Sequence, residues 1–149
     1  MSTPALAADY LFLAPLLQAR LLDQVADVPV DVCETPDQVL AQDKRPRALL
    51  VLWAGDRVDE AAGGQARGGA SQLLHQRWLV CLGLNNAGKA ADARNTAAGP
   101  VLSQVHKALA GWTPEGCARP MRRANAPLRP TFAATKAVYP LGFEITLSL

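Results

Sequence analysis

Residues 76–84, Gln76-Arg77-Trp78-Leu79-Val80-Cys81-Leu82-Gly83-Leu84, decide how this chain folds. In an extended segment Trp78, Val80, Leu82 and Leu84 fall on one face and Leu79 and Cys81 on the other, so both faces are apolar. Such a strand, read over about 72–84, must be covered on both sides and belongs in the middle of a sheet. Asn85-Asn86-Ala87-Gly88 is turn chemistry that ends it. Beyond the turn, Ala98, Val101, Leu102, Val105, Leu109 and Trp112 recur at spacings of three and four. That spacing predicts a helix over 90–110 packed on the sheet, with Gln104 and Lys107 outward and Gly111 as its stop. Gly99-Pro100 lies inside it, and an interior proline loses a hydrogen bond and crowds the preceding turn. A kink or a restart is expected there.

Upstream, Ala48-Leu49-Leu50-Val51-Leu52-Trp53-Ala54 is a second unbroken apolar run, again suited to a strand covered on both faces. Leu17, Leu21 and Val25 predict a helix over about 15–26, with Pro15 in its first turn. Residues 30–34 read as a short strand with Val30 and Val32 on one face, and Thr35-Pro36-Asp37-Gln38 as the capped start of a short helix at about 36–42. Residues 55–69 are rich in Gly and Ala and hold Asp56, Arg57, Asp59, Glu60 and Arg67. They cannot bury enough apolar surface to order themselves, so a mobile hairpin loop is expected at about 55–70, either inert or ordered by a partner. Downstream, residues 119–136 are basic and contain Pro120, Pro127 and Pro130, which predicts one short strand and a long loop. Leu141, Phe143, Ile145, Leu147 and Leu149 then alternate with Gly142, Glu144, Thr146 and Ser148. One face of that strand packs on the core and the other meets water or a neighbouring subunit. Pro140 lacks a ladder donor, which predicts an edge position or a bulge at its start. The element order is αβαββα followed by one or two strands, without a repeat or a second core. One domain of 149 residues suits that pattern, and buries roughly 68–70% of the surface of its unfolded chain.

Half the residues are apolar and 19% are charged, a balance typical of soluble globular proteins. No apolar run approaches the roughly 18 residues of a membrane span. Residues 10–17 include Pro15 and follow Asp9 instead of a basic stretch, so no secretory signal is expected and the protein should stay in the cytoplasm where it is made. Cys33, Cys81 and Cys117 fit neither a disulfide framework nor zinc-ligand spacing and read as buried free thiols. Net charge is only +2, yet residues 1–60 hold ten acids and five bases whereas residues 61–149 hold three acids and ten bases. The two signs either form complementary faces for head-to-tail association or mix on folding.

No enzyme signature stands out. Gly83-Leu84-Asn85-Asn86-Ala87-Gly88-Lys89-Ala90 is one residue short of a phosphate-binding loop, and Ala90 lacks the hydroxyl that would hold magnesium. His75 and His106 lie far apart and beside neither an acid nor a cysteine, and read as ordinary histidines. Ser71 and Ser103 lack a nucleophile context. Asp92, Glu115 and Glu144 are too few for paired-carboxylate catalysis. No cofactor or metal is implied. Arg119, Arg122, Arg123, Arg129 and Lys136 could contact phosphates, but Phe132 is the one aromatic between Trp112 and Tyr139, so a protein-binding surface or solvated charge is favoured over nucleic acid.

The block from Arg77-Trp78 through Leu109-Ala110-Gly111-Trp112-Thr113-Pro114, with the strand after Tyr139-Pro140, resembles the tail terminator (tail completion) proteins of long-tailed bacteriophages. The likeness is to the Mu-like prophage family and, more distantly, to the minor tail protein U family of lambda-like phages. It implies a single α+β domain, with a mixed, mostly antiparallel sheet flanked by helices. It implies a structural virion protein without enzymatic activity, forming a hexameric ring at the tail–neck junction. Such a ring caps the tail tube, ends its polymerisation and presents a surface to head-completion or neck proteins, with DNA met only in passing through its lumen. Charge and expected exposure select the contact residues: Arg57 and Arg67 in the loop, and Arg119, Arg122, Arg123 and Arg129 in the basic segment. Another neck or tail adaptor (head–tail connector), or a degenerate nucleotide-binding domain, are the rival readings.

Overall fold

A strand with two apolar faces needs neighbours on both sides, and the computed structural model provides them. It describes residues 3–35, 45–59, 72–85, 90–133 and 135–149. The doubly apolar segment is β3 (Leu73–Asn85), held between antiparallel β2 (Arg47–Val58) and β6 (Lys136–Ser148). The β3–β6 register runs unbroken from Leu73↔Ser148 to Asn85↔Lys136. β1 (Val30–Val32) adds to β2 in parallel. Beyond β6 lie β4 (Arg122–Ala124), against residues 142–144, and β5 (Thr131–Phe132), against 137–138. The order is β1-β2-β3-β6-β4 with β5 also on β6, a six-stranded, mostly antiparallel sheet. With α1 (Pro4–Ala8), α2 (Leu13–Gln24) and α3 (Ala91–Leu109), this is a single α+β domain.

The main core lies between the helices and one sheet face. Leu13, Leu17 and Leu21 of α2 and Val101, Val105 and Leu109 of α3 join one cluster with Leu49, Val51, Trp78, Val80, Leu82, Phe143 and Ile145. A fully buried aliphatic side chain contributes about 1.5–3 kcal/mol, so this face supplies most of the driving force. Two polar groups inside are satisfied: the Trp78 indole donates to Gln76 Oε1 at 2.9 Å, and Gln76 Nε2 donates to the Tyr10 carbonyl at 2.9 Å. On the opposite face Ala48, Leu50, Leu52, Leu79, Cys81 and Val138 form a second buried cluster. Both apolar strands are therefore covered on two sides, as their sequences require.

Several elements depart from expectation. β2 continues past Ala54 to Val58 because Ala54 and Gly55 bulge opposite Arg77, between the pairs Trp53↔Trp78 and Asp56↔Gln76, with Gly55 at φ 93°. Residues 55–58 are thus strand and not loop; 60–71, and the helix expected at 36–42, lie outside the described residues. α2 begins at Leu13, which leaves Pro15 still within the first turn. The short α1 has no helical periodicity to announce it. α3 runs through Pro100 without a restart. Thr96, Gly99 and Pro100 are exposed there, so water can satisfy the carbonyl that proline leaves without a donor. After α3, Ala110 (φ −67°, ψ 121°) and Gly111 (φ 84°) make a type II turn closed by Trp112 N–H on the Leu109 carbonyl at 3.1 Å.

Residues 119–136 hold two short strands instead of one, so three strands follow α3. Pro140 lies within β6, neither at its start nor in a bulge. Ser148 directs its N–H and C=O to Thr3, while Leu149 N–H turns to Gln72 on the β3 side. Pro140 shares the parity of Ser148, so its missing donor faces the gap between the β4 and β5 pairings. Gly142 also shares it, and a Cβ there would stand 2.6 Å from the Ala124 carbonyl oxygen and 2.9 Å from Ala126 N. Gly142→Ala is expected to push the 124–126 segment off the sheet and lower stability by about 1–3 kcal/mol, read as a lower urea midpoint with an unchanged slope.

Candidate assembly surfaces

Strand alternation sends one set of side chains away from the helices, and the cross-strand register gathers them into two charged rows. Arg57, His75 and Thr146 are successive partners across β2, β3 and β6, and Arg77, Glu144 and Arg122 across β3, β6 and β4. His75 Nδ1 lies 2.9 Å from Thr146 Oγ1 and 3.7 Å from Glu144 Oε1, while His75 Nε2 lies 2.9 Å from Asp59 Oδ2. Arg57 donates to Asp59 at 2.9 Å. Glu144, its side chain only 8% exposed, accepts from Arg122 at 2.6 Å and from Arg77 at 3.4 Å. The outermost groups are guanidiniums, with Arg122 at 60%, Arg57 at 54% and Arg77 at 45% exposure.

Burial by itself would raise the Glu144 carboxyl, but the hydrogen bond and charge of Arg122, with Arg77 and His75 behind them, hold it below its ordinary value. Asp59 is also lowered, first by its hydrogen bond to His75 and then, against some desolvation, by the charges of His75 and Arg57. Thr146, His75 and Asp59 stand in the order of a nucleophile, base and acid. Thr146 is only 8% exposed, however, and its hydroxyl serves the sheet by bonding His75 across the β3–β6 pair. The rows hold four strands in register and display positive charge. Burial pushes the Cys81 thiol up to about 12 and the half-buried Cys33 and Cys117 to about 11, so all three stay protonated near neutral pH.

The arginines singled out in the sequence do not form one patch. Arg57 stands in β2 and not in a loop, and Arg122 in β4; both join the charged rows. Arg123 turns to the other face, 5.3 Å from the Phe143 ring, and donates to the Gly142 carbonyl at 3.0 Å, which anchors the segment. Arg119 and Arg129 are exposed, and Arg67 lies outside the described residues. Glu144, Arg77, His75 and Asp59 escaped the sequence reading because no local pattern shows which residue lies opposite which. Gly83, the first glycine of the phosphate-loop likeness, is buried in the ladder between Ala48 and Val138 and cannot cradle a phosphate; residues 86–89 lie outside the described residues.

At the β1–β2 end of the sheet a cavity of about 560 Å³ is lined by Leu11, Ala14, Val32, Glu34 and Trp53 among others. Val32 is 47% and Trp53 44% exposed. Tyr10 stands edge-on to Trp53 at 6.1 Å and donates to Asp56, which, with burial and the Asp56 charge, pushes its hydroxyl up to about 12. At the other end, past β6, Leu128 and Phe132 are 43% and 56% exposed.

Among the described residues no group of His, Cys, Asp and Glu is placed to hold a metal ion. What the described residues offer is two charged rows, an apolar groove and exposed Leu128 and Phe132 past β6. A family model described as phage tail terminator protein matches residues 7–149. The chain belongs to the phage tail terminator family. As a member of that family it is a structural protein of the phage tail, its place is the virion, and it works through contacts with other tail and virion proteins. Terminators of this family are structural and not enzymatic. Comparison with curated proteins gave no match. No helix among the described residues is long and apolar enough to cross a membrane.

The lowered Glu144 carboxyl makes the terminator's stability depend on pH. Its contribution is complete above the ordinary value of 4.5 and is lost as the pH falls from there through the lower folded value. Glu144→Gln keeps an acceptor but removes the charge. Charged hydrogen bonds contribute about 1.5–3 kcal/mol, and the exposure of both arginines brings the expected loss at neutral pH to about 1–2 kcal/mol. Urea midpoints between pH 3 and 7 should show that loss and a flatter acid limb.

Proposed function

We propose that copies of this chain close into a hexameric ring that caps the tail tube, ends its polymerisation and presents the surface to which head-completion or neck proteins attach. The observation that carries the reading is the match to the terminator family over nearly the whole chain, from residue 7 to the last strand. Its physical support is the arrangement of surface: apolar and charged groups are exposed at both ends of one sheet. Arg57, Arg119, Arg122 and Arg129 would act at the interfaces as outward charges, and Arg123 through the segment it anchors. Arg67 is proposed alongside them on its charge alone.

Charged interfaces weaken as salt screens them beyond about 10 Å at 0.1 M. Native mass spectrometry and light scattering over a range of salt should therefore find six times the 15.8 kDa chain at low salt, with dissociation as salt rises. Added to polymerising tail-tube protein, the ring should fix tube length. A ring that leaves tube growth untouched would instead point to a different neck or tail adaptor, and a chain that stays monomeric and does not bind tubes would exclude the ring.

A further inference from the structure

The two long edges of the sheet carry opposite surfaces. At the β1–β2 edge the groove floor is apolar, with Leu11, Val32 and Trp53, and its rim holds Glu34, which has no partner among the described residues. Asp56 stands beside it under Tyr10. Asp31 of β1 is paired with Arg45, which leaves Glu34 as the acid at the groove rim. Beyond β6, residues 119–133 carry four arginines and no acid. There Leu128, 43% exposed, and the exposed Arg129 next to it project from a short arm between β4 and β5. The arm is held from both sides. Arg123 ties its start to Gly142, and Phe132 at its end lies edge-on to Tyr139 at 5.5 Å with Arg94 5.6 Å from its ring.

β2, β3 and β6 separate groove from arm, and neighbouring strands lie about 4.8 Å apart. The arm therefore has no short path to the groove of its own molecule, and each surface is left for another copy. We infer that the arm around Leu128-Arg129 of one copy docks in the groove of the next, with Leu128 on Val32 and Trp53 and Arg129 against Glu34. The inference rests on the ring reading above and names its contact. Two different patches meet, so the contact is heterologous: each copy uses its groove on one side and its arm on the other, and the chain of contacts ends only by closing. Opposite charge at the rim sets the direction of approach, and the apolar contact supplies the burial.

Two single variants at exposed positions test it, Val32→Asp in the groove and Leu128→Asp in the arm, each checked for an unchanged circular dichroism spectrum. Each alone should be monomeric by native mass spectrometry at a concentration where the wild type is a ring. Mixed in equal amounts they should form a one-to-one dimer and nothing larger, because a single intact groove meets a single intact arm. The charge-reversed pair Glu34→Arg and Arg129→Glu should each weaken assembly at least tenfold and restore it when combined in one chain. Variants that keep the wild-type mass, or a mixture that stays monomeric, would overturn the arm–groove contact while leaving the ring standing. If the wild type assembles only on tail tubes, capping by the single variants would overturn it there. A wild-type chain that neither assembles nor binds tubes would remove the ring reading and this contact with it.

Discussion

Everything in this fold depends on β3 being apolar on both faces. A strand with Trp78, Val80 and Leu82 on one side and Leu79 and Cys81 on the other cannot lie at an edge or face water without exposing a large apolar strip. It is stable only between two long neighbours, and β2 and β6 supply them in antiparallel pairing over nearly its whole length. Once β3 is central, the helices take one face and the second apolar cluster fills part of the other. The edges at β1 and beyond β6 are then the places where apolar side chains such as Val32 and Phe132 remain exposed.

The far face shows how polar groups survive inside such a sheet. Glu144 and His75 are nearly buried, and a buried charge is tolerated only when it is paired and hydrogen-bonded. Arg122, Arg77, Asp59 and Thr146 meet that condition, each from a strand or strand end next to the group it serves. The arrangement penalises slippage, because a shift of one residue would turn Glu144 toward the apolar core and break its pairs. Specificity of register and display of positive charge thus come from the same side chains.

A terminator of this kind does its work by recognition. Stability comes from the helix-covered face, where Leu, Val and aromatic side chains close the core. The groove at Trp53 and the arm at Leu128 expose apolar side chains that lie outside the buried clusters.

Local patterns were enough for the central strands, the long helix, the alternating last strand and the glycine stop at Gly111, because period, length and turn chemistry are set by residues close together in sequence. The bulge at Gly55, which extends β2 and moves Arg57 out of a loop, depends on pairing with β3 and left no clear trace. Glu144 was visible as the polar face of a strand, but its partners Arg77 and Arg122 are 67 and 22 residues away, and His75 and Thr146 are 71 apart. Sequence by itself determined which residues must be buried and which elements they form, since burial follows from side-chain chemistry and local spacing. Tertiary structure alone decided which charges meet and which apolar groups stay exposed at the sheet edges, since both are properties of strand order and register, and these join residues that the chain keeps far apart.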